Sequence, residues 1–482
     1  MERPSSPTAE AGAHTFARVL GRADLLLFSV SAILTIDTLA SAASMGVTWF
    51  TWWGITMGIF FIPYGLVTAE LGAAWPGEGG LYIWVREAAG PRWGSLAAWF
   101  YWVNNAYWIP SVYMVFAGTF HTIFLKEHLG PALREGAGAT WLQAGIAILL
   151  TWITVGIGVV RLEVSKWVPN LGAVVKVALF LALGGLGASS LLSGHPAAND
   201  FSLARFVPRW SDSLAFLPVL LYNALGFELM SSAGDEMKDP QRDVPRVILL
   251  SGFVIAAVYT LGVLGILLAV PLSQLSLVTG TWDALLVLGR QWGSAGDALV
   301  LLLGVGFLYA CVANIVTWSL GVNRMAAAAA SEGAAPAVLG RLHKHFDTPW
   351  AAFVIMGLIS TVLLLGNAAL SSRADNVFWM LFKLSGVCFL ISYLMIFPAF
   401  LILRRRAPDQ PRPYRMPGGP AVAWAATIVC TACVAGAILL FFRPPPTAEN
   451  PAAALKETWL LLAETLLTLA VGVAFLPRVR RR

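Results

Sequence analysis

Thr35-Ile36-Asp37-Thr38-Leu39-Ala40-Ser41-Ala42-Ala43-Ser44-Met45-Gly46 interrupts an apolar run that begins at residue 24, replacing bulky side chains with hydroxyls, one carboxylate and a string of small residues. Small residues let helix backbones approach closely, so the stretch reads as a tight helix–helix interface. It also reads as a discontinuous helix whose freed N–H groups face an anionic group. A second interruption stands at Tyr222-Asn223-Ala224-Leu225-Gly226-Phe227-Glu228, with Ser231 and Ser232 close behind. Breaks in corresponding positions of two halves point to a binding site in chains built from inverted repeats. A packing glycine beside a coincidental acid does not explain why an ionisable Glu228 is tolerated near mid-membrane.

The surrounding composition supports a membrane setting. The chain has 482 residues, 58% hydrophobic and 12% charged, with a mean hydropathy of +0.72; soluble domains carry about 25% charged residues. A hydrocarbon core of about 30 Å needs roughly 20 apolar residues of helix. Twelve runs meet that need, at 24–46, 51–74, 93–125, 140–160, 168–192, 213–233, 246–270, 297–323, 349–366, 376–403, 420–442 and 456–476. They are numbered here as spans 1 to 12. Continuous runs of this length exclude a β-barrel, whose strands alternate over about ten residues. The expected fold class is therefore all-α, an integral membrane protein with 12 transmembrane helices, and the third run needs tilt or extension beyond the hydrocarbon.

Charge fixes the expected orientation. Of the 32 Lys and Arg residues, 22 fall in the alternate loops that include both termini and 8 in the opposite loops, while Lys176 and Lys383 lie inside spans. Basic residues are retained on the cytoplasmic side, so both termini and the Arg404–Arg415 loop are expected there. A cysteine placed at Gln410 should resist an impermeant thiol reagent added to intact cells; labelling from outside would reverse the topology. The net charge of +6 is spread over short loops without a basic, aromatic-interleaved face, so no nucleic-acid partner is expected. Cys311, Cys388, Cys430 and Cys433 lie in apolar runs and read as small hydrophobes, which makes Cys430-x-x-Cys433 a poor redox motif. The first 23 residues are polar and lack the apolar core of a cleaved signal. No cofactor, metal or catalytic cluster is expected, because none of the six histidines lies deep in a span. A ring-forming filter repeat, the mark of a channel, is absent from the sequence as well.

Several motifs between the spans carry a family resemblance. Glu70-Leu71-Gly72-Ala73-Ala74-Trp75-Pro76-Gly77-Glu78-Gly79-Gly80-Leu81-Tyr82 follows span 2. Gly226-Phe227-Glu228 precedes Glu236-Met237-Lys238-Asp239-Pro240-Gln241-Arg242-Asp243-Val244-Pro245. Asn323-Arg324, Glu332-Gly333 and Thr348-Pro349 follow span 8, and Arg412-Pro413-Tyr414-Arg415-Met416-Pro417-Gly418-Gly419 follows span 10. Together they resemble the amino acid/polyamine/organocation (APC) superfamily of permeases across nearly the whole chain. Ile62-Pro63-Tyr64-Gly65-Leu66-Val67-Thr68-Ala69-Glu70 and Gly90-Pro91-Arg92-Trp93-Gly94 look most like its glutamate/GABA antiporter branch.

The resemblance implies a LeuT-type 5+5 inverted repeat with helices 1 and 6 discontinuous. Segment 1–23 would then be cytoplasmic, 24–192 the first repeat, 213–403 the second, 420–476 accessory helices 11 and 12, and 477–482 a basic cytoplasmic tail. A substrate carboxylate would meet the N–H groups of Ala40, Ser41 and Ala42, and its amino group the carbonyls of the two breaks, which places Asp37, Thr38 and Gly226 at the site. Tyr222 matches an aromatic gate of the arginine antiporter members. The usual Gly-Ser-Gly turn of helix 1 is replaced here by alanine and serine. Lys176 sits where proton-coupled members carry a lysine in place of a sodium ion; alternatively its head snorkels to the interface near Trp167.

Other polar residues leave two meanings each. Glu228 binds and releases a proton during transport or only hydrogen-bonds its helix, since loss of water favours the neutral form of an acid. Asn104 lines the pathway, or with Asn105 bonds neighbouring helices. Asp37 and Lys383 are ionisable groups that should not both face lipid, and a direct or water-mediated pair between them is the expectation. Paired, they favour a neutral or zwitterionic substrate; Asp37 alone at the site favours a cationic amino acid or polyamine, and Lys383 alone an acidic one. Glu464 is expected at the periphery, and Trp49, Trp52, Trp53, Trp75 and Trp93 at the membrane interfaces. The sequence thus points to a proton-coupled symporter or exchanger of amino acids in the plasma membrane. A transporter of polyamines or other organic amines is the alternative, and the oligomeric state, monomer or homodimer, stays open.

Overall fold

The computed structural model describes residues 22–76, 79–160, 167–208, 215–228, 240–443 and 451–476. The segment before residue 22, Gly77 and Glu78, Ser231 and Ser232, Glu236–Asp239 and the 477–482 tail fall outside them. Among the described residues there is no strand, and every expected apolar run except the sixth, at 213–233, is helical over most of its length. In hydrocarbon, only a helix satisfies every N–H and C=O of a single segment.

Fifteen helices are labelled in chain order: α1 (Arg22–Ile33), α2 (Leu39–Ala43), α3 (Thr48–Ala74), α4 (Leu81–Ala89), α5 (Pro91–Leu125), α6 (Gly136–Val159), α7 (Trp167–Leu192), α8 (Leu217–Asn223), α9 (Pro240–Ala269), α10 (Gly280–Arg290), α11 (Gly293–Ser331), α12 (Trp350–Leu370), α13 (Ala374–Arg406), α14 (Gly419–Phe441) and α15 (Pro451–Ala474). Among the described residues, ten are long and apolar enough to cross a membrane. The two other runs are the broken ones. Span 1 is α1 and α2 separated at 34–38, and α8 ends at Asn223, with non-helical Ala224–Gly226 before the chain turns helical again at Phe227 and Glu228.

Short π-turns at Met57–Phe61 and His121–Leu125 let α3 and α5 run on without a stop. Helix α5, at 35 residues, extends about 50 Å at 1.5 Å per residue, well beyond the hydrocarbon. It crosses α13 at the centre of the bundle and also packs on α4, α6 and α11. Helix α7 packs on α9 and α11, and α1 lies against all three. Glycines bring α7 and α9 together: a Cβ at Gly265 would overlap the carbonyl of Leu183, and one at Gly184 would stand 2.8 Å from Cβ of Leu261. Close backbone approach of this kind supplies the dispersion contact that replaces a hydrophobic driving force in lipid.

The outer surface is as apolar as the core. Phe253, Val362, Leu439 and Leu467 are all exposed, as residues facing acyl chains are. Helices α14 and α15 lie at the periphery, and Glu464 on α15 is half-buried there. The tryptophans correct one expectation. Trp93 is exposed, but Trp49, Trp52 and Trp53 are buried. Trp49 stacks on Trp53 at 5.2 Å between ring centres, and Trp53 meets Tyr259 of α9 edge-on at 5.5 Å, so these rings fill the core beside the first break instead of an interface.

At the basic end of the bundle, motifs far apart in sequence become partners. Glu70, at the end of α3, receives Arg404 Nε at 2.9 Å and Nη2 at 2.5 Å, and the Met416 N–H at 2.8 Å; Arg412 Nε stands 3.3 Å away. Glu332 of the loop after α11 accepts from the Tyr82 hydroxyl at 2.6 Å and pairs with Arg86 of α4. Three of the quoted inter-span motifs thus form two ionic joints.

Candidate functional site

The unwound stretches at 34–38 and 224–226 meet in the middle of the bundle, tied by a network of buried hydroxyls and one amide. Asn223, the last residue of α8, accepts from Thr38 Oγ1 at 2.7 Å and from Thr35 Oγ1 at 3.1 Å. The Tyr259 hydroxyl of α9 receives the Thr35 N–H at 2.9 Å and reaches the Thr35 carbonyl at 3.1 Å. The Thr35 main-chain groups that a continuous helix would satisfy internally are satisfied here by the Tyr259 side chain of another helix. The second break needs glycine: Gly226 has φ of +128°, and a Cβ there would stand 2.9 Å from Ile33 Cγ1 and 3.3 Å from the Trp318 ring.

Asp37 lies within the first break and is 1% exposed. Its Oδ2 accepts the Trp108 indole N–H of α5 at 3.1 Å, and its Oδ1 receives Asn314 Nδ2 of α11 at 3.5 Å. The Asn314 oxygen in turn accepts from Lys176 Nζ of α7 at 2.6 Å. Lys176 is fully buried, so its ammonium faces this centre and does not snorkel to an interface. Lys383 goes elsewhere: it pairs with Glu457 of α15 at 3.7 Å. The expected Asp37–Lys383 pair is therefore corrected. The pair was expected because neither charge should face lipid, although counted depth separates the two residues somewhat; α13 turns Lys383 toward the periphery.

Glu228 follows the second break and is 2% exposed. Its two oxygens accept from the hydroxyls of Tyr64 on α3 at 2.6 Å and Tyr101 on α5 at 2.7 Å. Tyr64 also accepts the N–H groups of Gly226 and Phe227 at 3.0 Å, so one hydroxyl couples the acid to the break. An aromatic wall lies between the two acids. Trp318 of α11 donates to the Ala32 carbonyl at 2.8 Å and stands 5.9 Å from Trp108, 6.2 Å from Tyr101 and 5.5 Å from Phe389. Tyr222 packs on Phe389 at 5.2 Å and on Phe382 at 4.9 Å.

The remaining expected residues divide. Thr38, Ala40, Ser41 and Ala42 line the first break and α2, all buried, and the Ser41 hydroxyl has no hydrogen-bond partner among the described residues. Asn104 accepts from Ser385 of α13 at 2.7 Å, while Asn105 donates to Ser319 of α11 at 3.2 Å, so both asparagines bond neighbouring helices. Sequence reasoning passed over Asn314, Trp108, Tyr259 and Trp318. Asn314 alone carried a usable signal, as an amide in the middle of an apolar run. Asp37, Lys176, Glu228 and both breaks are closed off from solvent.

The sequence profile of the family described as amino acid permease matches residues 20–470. The chain belongs to that family. This permease is 35% identical over 398 residues to the "Probable agmatine/putrescine antiporter" of Lactococcus lactis subsp. lactis (strain IL1403), covering 82% of each chain. It is 26% identical over 389 residues to a polyamine transporter of Oryza sativa subsp. japonica, covering 79% of the permease and 66% of that protein. It is 24% identical over 369 residues to the glutamate/gamma-aminobutyrate antiporter of Lactococcus lactis subsp. lactis (strain IL1403), covering 75% and 71%. The APC resemblance of the motifs is thereby upheld, and the fold and relatives are those of a multi-pass membrane transporter.

Proposed function

We propose that this permease carries a small organic amine, bearing a positive charge, across the plasma membrane by alternating access. The core is a LeuT-type 5+5 repeat of spans 1 to 10, with spans 11 and 12 accessory and both termini cytoplasmic, and the substrate sits between the breaks of spans 1 and 6. The observation that carries the reading is Asp37: a buried carboxylate in the first break, bonded to the neutral donors Trp108 and Asn314, with Lys383 drawn away to Glu457. An ammonium is the natural complement of such a group, and aromatic faces of the kind offered by Trp318 and Tyr222 add cation–π attraction. The Ser41 hydroxyl and the main-chain groups around Thr38, Ala40, Ala42 and Gly226 supply further partners, with Asn104 framing the chamber. The agmatine/putrescine and polyamine relatives support an amine over the amino acid first expected from the sequence.

Counterflow into proteoliposomes with labelled putrescine, agmatine, leucine and glutamate tests this. Putrescine or agmatine should accumulate and compete with each other; accumulation of an amino acid alone would refute the amine assignment.

Glu228 serves as a proton-linked latch in the same scheme, because Tyr64 joins its carboxyl to the break. Glu228→Gln should flatten the pH dependence of the transport rate at a smaller loss than Glu228→Ala, since the amide keeps size and some hydrogen bonding. An unchanged pH profile in Glu228→Gln would leave Glu228 a purely structural group.

A further inference from the structure

Far from the breaks, basic side chains gather on the face that the proposed topology turns outward. The loops of that face hold only 8 of the 32 basic residues, and several are engaged close by. Lys126 pairs with Glu135 at 3.1 Å, Arg205 pairs with Asp200 at 3.2 Å, and Arg134 donates to the Leu129 and Glu127 carbonyls. Arg373, in the link between α12 and α13, and Lys456, near the start of α15, are exposed and have no carboxylate within ion-pair distance among the described residues. Both line one cavity of about 360 Å³.

The cavity is built on a fixed link. The Arg373 N–H donates to Ser371 Oγ at 3.2 Å, and its carbonyl opens α13 by accepting from the N–H groups of Asn376 and Val377 at 3.1 and 3.2 Å. Thr140 of α6 donates to the Ser372 carbonyl at 2.8 Å, and α13 packs on both α12 and α15, so the walls are held from three sides. Acids near the cavity are already balanced. Glu457 lines it but pairs with the buried Lys383 at 3.7 Å, and Asp375 turns away to accept from Ser276 Oγ at 2.8 Å and the Val278 N–H at 3.0 Å. Arg373 and Lys456 thus leave an uncompensated positive charge, with the Ser372 and Asn376 side chains beside it.

We propose that this cavity holds the phosphate of an anionic phospholipid of the adjoining leaflet, the outer one in the proposed topology. A guanidinium fork and an ammonium are the donors that phosphate oxygens take. The order of polarity identifies a lipid over a dissolved phosphate: below the cations the walls are Leu370, Met380 and Leu460, and Trp459 stands exposed on the same turn of α15. Span ends, where α12 stops and α13 begins, are also the depth of the headgroups, and indoles favour that depth. A bound lipid ties the start of α15 to the link before α13, the helix that carries Phe382 and Phe389 to Tyr222 and Ser385 to Asn104. The site is independent of what the permease carries, because none of its residues touches the breaks.

The test is native mass spectrometry of the detergent-purified permease titrated with dioleoylphosphatidylglycerol, with dioleoylphosphatidylcholine and with glycerol 3-phosphate. Wild type should retain one phosphatidylglycerol at a concentration about thirtyfold below that needed by the double variant Arg373→Gln with Lys456→Gln, the effect of two basic groups at an anionic headgroup. Phosphatidylcholine should not distinguish the two proteins. Lys126→Gln with Arg290→Gln, which removes the same charge elsewhere on that face, should bind phosphatidylglycerol like wild type. Equal phosphatidylglycerol binding by wild type and Arg373→Gln with Lys456→Gln overturns the site, and so does an equal loss in the control variant. Displacement of the lipid by glycerol 3-phosphate at comparable concentration shows a site for soluble phosphate and refutes the lipid. If the double variant does not fold, wild type decides alone, and phosphatidylglycerol held no more tightly than phosphatidylcholine is the contrary result.

Discussion

Asp37→Asn should lower putrescine affinity roughly 10²- to 10³-fold, the loss expected when a buried ammonium forfeits its carboxylate, at about 1.4 kcal/mol per tenfold. The amide keeps the volume of the side chain and an oxygen able to accept from Trp108 or Asn314. It also leaves Lys176 without its counter-charge. The double variant Asp37→Asn with Lys176→Met removes both charges and should recover the stability, but not the amine affinity. Wild-type putrescine binding by either variant would show that Asp37 does not meet the substrate.

A second large effect is expected outside the chamber. Glu70 is 1% exposed and its carboxylate holds two guanidinium groups and the Met416 N–H, fixing the loop after α13 to the end of α3. Gln410 adds a bond from that loop to the Ala74 carbonyl at 2.8 Å, and Arg406 one to the Ala88 carbonyl at 2.9 Å. Removing one partner of a buried ion pair strands the other, at about 3–5 kcal/mol. Glu70→Ala should therefore lower the melting temperature in detergent by about 3–5 °C, with transport lost as the joint loosens. A melting temperature within a degree or two of wild type would mean that Arg404 and Arg412 find water or other partners, and that the joint contributes little.

Much of the architecture was legible because lipid imposes a coarse rule on sequence. Runs of twenty apolar residues must be helical, and the edges read from residues 51–74 or 376–403 differ by only a few positions from Thr48–Ala74 and Ala374–Arg406. The breaks were legible for a different reason: Thr35, Asp37 and Gly226 are poor choices for a helix meant only to span. Two elements were not foreseen. Helices α4 and α10 are 9 and 11 residues long and amphipathic, too short for a span, and they lie between spans where only loops were expected.

Partners within the chamber were the least legible part. Depth can be counted along a helix at about 1.5 Å per residue, and it separated Asp37 and Lys383 somewhat; their pairing was expected only from the cost of an isolated buried charge. The direction in which a side chain leaves its helix depends on packing that no single span encodes. Lys383 faces α15 and Glu457, and Asp37 faces Trp108 and Asn314. The tryptophans at 49, 52 and 53 were misplaced for the same reason, since the core beside the first break, not the nearby interface, is what covers them. The four inter-span motifs signalled the family, but only the fold shows why Glu70 and Arg412, or Tyr82 and Glu332, belong together.

The most direct test of the central claim is a cryo-electron microscopy structure of the purified permease in nanodiscs with saturating putrescine at about pH 7.5. The account predicts density for the diamine between the unwound stretches at 34–38 and 224–226, with one amine within hydrogen-bond distance of the Asp37 carboxylate. Density at another place in the bundle, or an Asp37 still bonded only to Trp108 and Asn314 beside a bound diamine, would contradict it.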